Sequence, residues 1–333
     1  MYISDLDQID IQYRQKVKGA YADSTAKNLC GQWTKFLDFY AAHKLPLYPP
    51  SPVNVARYLT VYSGKVGAYA TVCNTVSAIA KFYELSGFKL DVHSPVIDLL
   101  LKSCKRHMSA MSKPRSPLQV AHILLIKNII DFSNPCHHAF FVALVIQFFS
   151  AVRISNLLPV SVNNFMSIKH LRRSDIVHVH NSIVLTLPWS KTLQNADNLF
   201  TIPIVSNPGS VLDPVALYLQ FIDVHRVPSH YPAFSYTQAG TIHIITQSVY
   251  QQYLKHFLTR LGLDSSSFSS HSVRRGSASF MFESSVPNHL LKAHGTWRSN
   301  AYTRYLSFNF DQKCIPTKKM HDKINSMFGR MAL

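Results

Sequence analysis

Residues 138–150, HAFFVALVIQFFS, are apolar almost all round. A helix of this composition has no face for water and must be buried on every side. It falls well short of the roughly 20 residues that a membrane span needs. The stretch therefore marks the centre of a folded domain that the rest of the chain wraps. No other apolar run approaches a span, and no signal peptide is evident. With 333 residues and 47% hydrophobic content, the chain is long and apolar enough for two domains with cores of their own.

The first part reads as four helices. Ser24-Thr25 is placed to cap a helix with Leu29, Trp33, Phe36, Leu37 and Tyr40 at helical spacing. Ser51-Pro52 opens a second, with Val55, Tyr58, Leu59 and Tyr62. A third runs from Ala68 to Leu85 and stops at Gly87. Ser94-Pro95 opens a fourth, which runs into Lys102, Lys105 and Arg106. The spacing predicts an arm over 1–20, a helical domain over 21–108, and a basic, proline-containing linker over 109–116, SAMSKPRS. Trp33, Phe36, Tyr40, Tyr58, Phe82 and Tyr83 are read as core.

The second domain is predicted over 117–310, with a basic tail over 311–333. Ser116-Pro117 restarts a helix, and the buried helix follows. Ile176 to Leu187 is rich in Val, Ile and Thr and reads as strands. Ser182–Leu187 and Phe200–Ile204 form a hairpin with Lys191 near its tip. Asp213-Pro214 opens a helix through Phe221, residues 226–245 are irregular, and Thr246 or Ser248 caps a helix closed by Gly262. Asn300 to Leu306 and Pro316 to Phe328 read as short helices. The predicted class is mainly α with a small β-hairpin or sheet.

Charge narrows the partner. Lys and Arg number 34 against 17 Asp and Glu, a formal charge of +17. The excess is shared: 15 basic against 8 acidic residues up to Ser116, and 19 against 9 after it. Both parts suit a polyanion gripped by the whole chain. Its grip would come mainly from phosphate contacts and weaken steeply with salt. The five cysteines are scattered and odd in number, which suits a reducing compartment. Neither they nor the 17 histidines show zinc spacing, so no metal and no cofactor is expected.

The chemistry gathers late in the chain. His271 and Arg274 are three apart and share a face if a helix begins there. Trp297, Tyr302 and Tyr305 follow. An arginine can clamp a phosphate through paired N–H donors, a histidine can move a proton near neutral pH, and a tyrosine oxygen can attack. A lone H-x-x-R is also what a capped helix with a solvated arginine looks like. Arg153, at the end of the apolar stretch, is either a surface residue beginning a turn or a second phosphate clamp. Lys191 alone reads as a solvated hairpin lysine.

The ordered set Arg153, Lys191, His271, Arg274, Trp297 and Tyr305 resembles the catalytic set of the tyrosine recombinase (phage-integrase-like) superfamily. The phrases RISNLLP, HSVRRG and HGTWRSNAYTRYL look most like the recombinases of eukaryotic Crypton elements, with the DIRS group next. The resemblance covers nearly the whole chain. It implies a helical, SAM-like core-binding domain ahead of a mixed α+β catalytic domain, together closing on double-stranded DNA as a C-shaped clamp. It further implies a covalent 3′-phosphotyrosine intermediate formed by Tyr305, phosphate held by Arg153 and Arg274, proton transfer by His271 and Lys191, and phosphate positioning by Trp297. Neither metal nor ATP is needed. Lys102, Lys105, Arg106, Lys113, Arg115 and Arg275 are expected to touch DNA. Dimers on DNA, tetramers in synapsis, exchange of the tail after Phe310, and a nuclear location follow from the same resemblance. Many bacterial and phage members carry an acid three residues after the first arginine, where this chain has Asn156. Tyr305, eight after Trp297, fits the nucleophile position better than Tyr302, which is read as packing. A non-cleaving DNA-binding protein of the same fold and a type IB topoisomerase remain the alternatives.

Overall fold

The computed structural model describes residues 20–108, 115–188 and 200–297, with Tyr302, Thr303 and a few positions beyond. The chain divides into two compact units, Met1–Lys113 and Pro114–Leu333, each with its own core.

Among the described residues, the first unit has four helices: α1 (Asp23–Ala42), α2 (Pro52–Ser63), α3 (Tyr69–Leu85) and α4 (Pro95–Met108). The Ser51 hydroxyl accepts the Asn54 N–H, and Pro52 opens α2 where no N–H is needed. Gly87, at φ +80°, turns the chain after α3. Two predicted caps differ. Helix α1 starts ahead of Ser24 and Thr25, behind Ala22, which offers no side-chain bond. The Ser94 hydroxyl is buried with no partner among the described residues, and its carbonyl joins α4, accepting from Asp98. The core centres on Phe36, fully buried, whose ring meets Tyr40, Tyr58, Phe82 and Tyr83 at centroid distances of 4.4–6.2 Å. Trp33 and Phe82 sit half-buried at its edge, and the Trp33 indole donates to the Ala78 carbonyl.

The second unit is built around the apolar stretch. Helices α5 (Val120–Ile129) and α6 (Pro135–Ser150) lead into a single turn, α7 (Ile154–Leu157). Every residue from His138 to Phe148 is buried. Each fully buried large apolar side chain contributes about 1.5–3 kcal/mol, so α6 is a large share of the core. The Asn134 side chain caps it by accepting from Cys136 and His137. Strands β1 (Ile176–Val179), β2 (Ser182–Leu187) and β3 (Phe200–Val205) form one antiparallel sheet in that order. Leu185 pairs with Ile176 on one side and Ile202 on the other. Helix α8 (Pro214–Val224), capped by Asp213, runs three residues past Phe221. Then come β4 (Tyr236–Gln238), β5 (Thr241–His243), α9 (Gln247–Arg260, capped by Thr246), α10 (Ser270–Glu283) and α11 (Asn288–His294). Helices α8, α9 and α10 and strands β3 and β4 all pack on α6.

Two features depart from the sequence reading. Helix α5 begins at Val120 and not at Ser116-Pro117. Ser116 donates to the Ser267 carbonyl and Leu118 to the Ser272 carbonyl, both at 2.8 Å. That ladder draws residues 115–118 out as a strap beside α10. The stretch predicted irregular, 226–245, contains the β4–β5 hairpin. Its two-residue turn, Ala239-Gly240, has φ +49° and +76°, the left-handed pair that a tight hairpin needs.

The core also carries a pH-sensitive pair. His138 and His225, 4% and 3% exposed, lie 5.3 Å apart between ring centroids. Burial, with His225 nearby, lowers the His138 pKa to about 4. Burial and the Arg173 charge lower that of His225. Both rings stay neutral in the fold while the unfolded chain protonates near 6.5. Stability is therefore full above that pH and falls as pH drops from about 6.5 toward 4, by about 3 kcal/mol for His138 alone. Thermal melts across this range should show the loss, and His138→Phe should flatten it; an unchanged slope in that variant would exclude His138 as its source.

Candidate active site

The site forms where α6 ends. Its last turn has no glycine to close it. Ala151 takes the left-handed conformation at φ +52°, and side chains from far along the chain satisfy the exposed carbonyls. The His294 Nε2–H donates to the Phe149 carbonyl at 2.8 Å. Arg274 Nη1 donates to the Ala151 carbonyl, and its Nη2 to the Gly295 carbonyl at 2.7 Å. The Gln147 amide donates to the Val152 carbonyl at 3.3 Å. A helix C-terminus carries partial negative charge, so an arginine and a histidine are well placed there.

This geometry brings four predicted residues together. Arg153 follows directly, half-buried, and its Nη1 is enclosed with no hydrogen-bond partner among the described residues. His271 and Arg274 lie one turn apart at the start of α10, where Ser269 and Ser272 cap each other. Arg274 is 1% exposed, and its guanidinium lies 4.1 Å from the Trp297 ring centre. Trp297 is buried in a small cluster with Ala151, Ala278, Leu291 and Tyr302. The Tyr302 ring meets Trp297 at 5.9 Å, which places it in packing.

The electrostatics are one-signed. Partial burial lowers the His271 pKa, and the charges of Arg274, Arg153 and Arg275 add to this. The residue still keeps an exposed face. A neutral imidazole beside three guanidinium groups can accept a proton while an anion is held next to it. Among the described residues, no group of three His, Cys, Asp or Glu side chains could hold a metal ion, and no helix is long and apolar enough to cross a membrane.

The remaining predicted residues fall elsewhere. Lys191, Lys113 and Tyr305 lie outside the described residues. Lys102, Lys105 and Arg106 are exposed on α4 in the first unit. Arg275 donates to the Arg115 carbonyl, and Arg115 to the Ser266 carbonyl, so both also hold the strap against α10. Asn156 is buried, its carbonyl accepting from Leu171. Sequence reasoning missed Gln147 and His294 as partners of the site. For Gln147 a signal existed, since it is the one amide within the apolar run.

No protein-family model matches the chain. An integrase/recombinase xerD homolog of Selenomonas ruminantium is 22% identical over 283 residues, covering 83% of this chain and 79% of its own. Among solved structures, the Tn1549 transposon integrase in complex with circular intermediate DNA superposes with a TM-score of 0.62 at 13% identity, covering 92% of this chain and 97% of that one. The fold is that of this integrase. The XerH site-specific recombinase bound to palindromic difH substrate gives a TM-score of 0.57 at 12% identity over 87% of this chain and 76% of its own. A lambda integrase dimer bound to a COC′ core site gives 0.57 at 15% over 89% and 75%. The chain is thus similar in sequence to an integrase/recombinase homolog and in fold to integrases and a site-specific recombinase, and the cluster at the end of α6 lies within this shared fold.

Proposed function

We propose that this protein is a tyrosine-type site-specific DNA recombinase. The observation that carries the reading is Arg153 Nη1, enclosed without a hydrogen-bond partner among the described residues and beside His271 and Arg274. A buried cationic N–H lacking an acceptor wants an anion, and a DNA phosphate supplies one. In this reading the Tyr305 oxygen attacks the phosphorus and the bond to the 5′ oxygen breaks, leaving a 3′-phosphotyrosyl link. His271, neutral near pH 7, takes the tyrosine proton. Lys191 gives one to the departing oxygen, Trp297 positions the phosphate, and Arg153 and Arg274 offset the charge that grows on it. A second 5′-hydroxyl reverses the step on a new strand, so phosphodiester energy is conserved and ATP is not consumed.

The finer parts belong to the same proposal. They are a mobile element of Crypton or DIRS type, a clamp on DNA, dimers that pair into tetramers, exchange of the tail after Phe310, and a nuclear location. Lys102, Lys105, Arg106, Lys113, Arg115 and Arg275 are the proposed DNA contacts.

Covalent trapping tests the reaction. The protein is incubated with nicked duplexes made from the DNA flanking its own coding sequence, and a denaturation-resistant adduct is sought. The adduct is expected from the wild type and from Tyr302→Phe, and not from Tyr305→Phe. Loss in Tyr302→Phe alone would move the nucleophile. Binding of these duplexes without any adduct would favour a non-cleaving DNA-binding protein.

A further inference from the structure

Gln147 is the one amide in the buried run of α6 and is fully buried itself. Burying an amide is unfavourable unless its donors and acceptor are all matched. Here they are. Its Nε2 donates to the Val152 carbonyl at 3.3 Å and to the Ser270 carbonyl at 3.2 Å, and its Oε1 accepts the Tyr250 hydroxyl at 2.6 Å. Val152 directly precedes Arg153, and Ser270 directly precedes His271. One side chain therefore holds the backbones that carry two site residues 118 positions apart in the chain.

The neighbours reinforce this. Tyr250, also fully buried, fixes the direction of the amide, because a hydroxyl that donates leaves only the oxygen on that side. The next residue, Gln251, accepts the Ser270 N–H at 2.7 Å. Ser270 is thus gripped at both its N–H and its carbonyl, once from α9 and once from α6.

We propose that Gln147, oriented by Tyr250, is a positioning residue for DNA cleavage: it sets the separation of Arg153 and His271 around the phosphate. The inference rests on the recombinase reading above. Gln147 touches no reacting atom. It acts through the two backbones, and misplacement of catalytic groups by about 1 Å can cost on the order of a hundredfold in rate.

The test measures single-turnover formation of the phosphotyrosyl adduct on the same nicked duplexes, with DNA affinity measured in parallel. Gln147→Leu keeps the volume and removes the three bonds; Tyr250→Phe removes only the hydroxyl. Leu254→Ala, in the same core, serves as a destabilised control, with every assay run well below each melting temperature. We expect about a ten- to hundredfold slower adduct formation in Gln147→Leu and a smaller loss in Tyr250→Phe. DNA affinity should stay within about twofold of wild type, and Leu254→Ala should keep the wild-type rate. The double variant should be no slower than Gln147→Leu, since both changes break one unit. Should Gln147→Leu not fold, Tyr250→Phe decides alone. Variant rates equal to wild type, or losses matched by Leu254→Ala, overturn the positioning role while leaving the recombinase reading intact. Absence of an adduct with wild-type protein that binds the duplex removes that reading and the inference with it.

Discussion

Arg274→Ala is expected to abolish adduct formation and to lower the melting temperature of the second unit by about 6–12 °C. The side chain is 1% exposed, bonds the carbonyls of Ala151 and Gly295, and lies against Trp297. Removing it leaves two enclosed carbonyls without these donors and a void beside an indole. Each lost buried bond costs about 1–3 kcal/mol, so a total near 3 kcal/mol or more is expected. Lysine should not rescue the variant. An ammonium is a point donor and cannot span both carbonyls while stacking flat on a ring. The measurement pairs a thermal melt with the trapping assay. An Arg274→Lys protein with wild-type melting and wild-type adduct would show that the planar fork is not needed.

The second large effect lies at Gly276, on the face of α10 that meets the strap. A Cβ added there would stand 1.8 Å from the Leu118 carbonyl oxygen and 2.7 Å from its carbon. These are backbone atoms, and the Leu118 N–H is itself bonded to the Ser272 carbonyl, so the strap cannot yield locally. Gly276→Ala should cost about 3 kcal/mol or more and give little folded protein at 37 °C. Gly31, in α1, is the contrast, since nothing lies within 4 Å of its added Cβ. Gly31→Ala should be neutral or stabilising by up to about 1 kcal/mol. Equal melting temperatures for the two variants would refute the close approach of strap and helix.

These two sites show what could be read from the residues. Arg153, His271, Arg274 and Trp297 could be singled out from the sequence, and the structure gathers them at the end of α6. The burial of α6 and the pairing of β2 with β3 were legible because each is a local pattern of apolar residues. The beginning of α5 was not, since the bonds that hold residues 115–118 extended come from Ser267 and Ser272. Nor was the β4–β5 hairpin, whose strands are only three residues long and carry little periodicity. The role of Gln147 was hidden for the same reason as the strap. An amide in an apolar run is visible, but the carbonyl it reaches at Ser270 is 123 positions away.

The closure of α6 also bears on how the chain is made. The carbonyls of Ala151 and Phe149 are made well before their partners Arg274 and His294, which follow 123 and 145 residues later. Until then the loop carrying Arg153 lacks these contacts, and contacts this far apart in sequence are the slow ones to form. A nascent chain halted before Arg274 would have its hydrophobic helix but not the clustered positive charge beside it. The cluster of side chains at the end of α6 therefore closes only after Arg274 and His294 have been made.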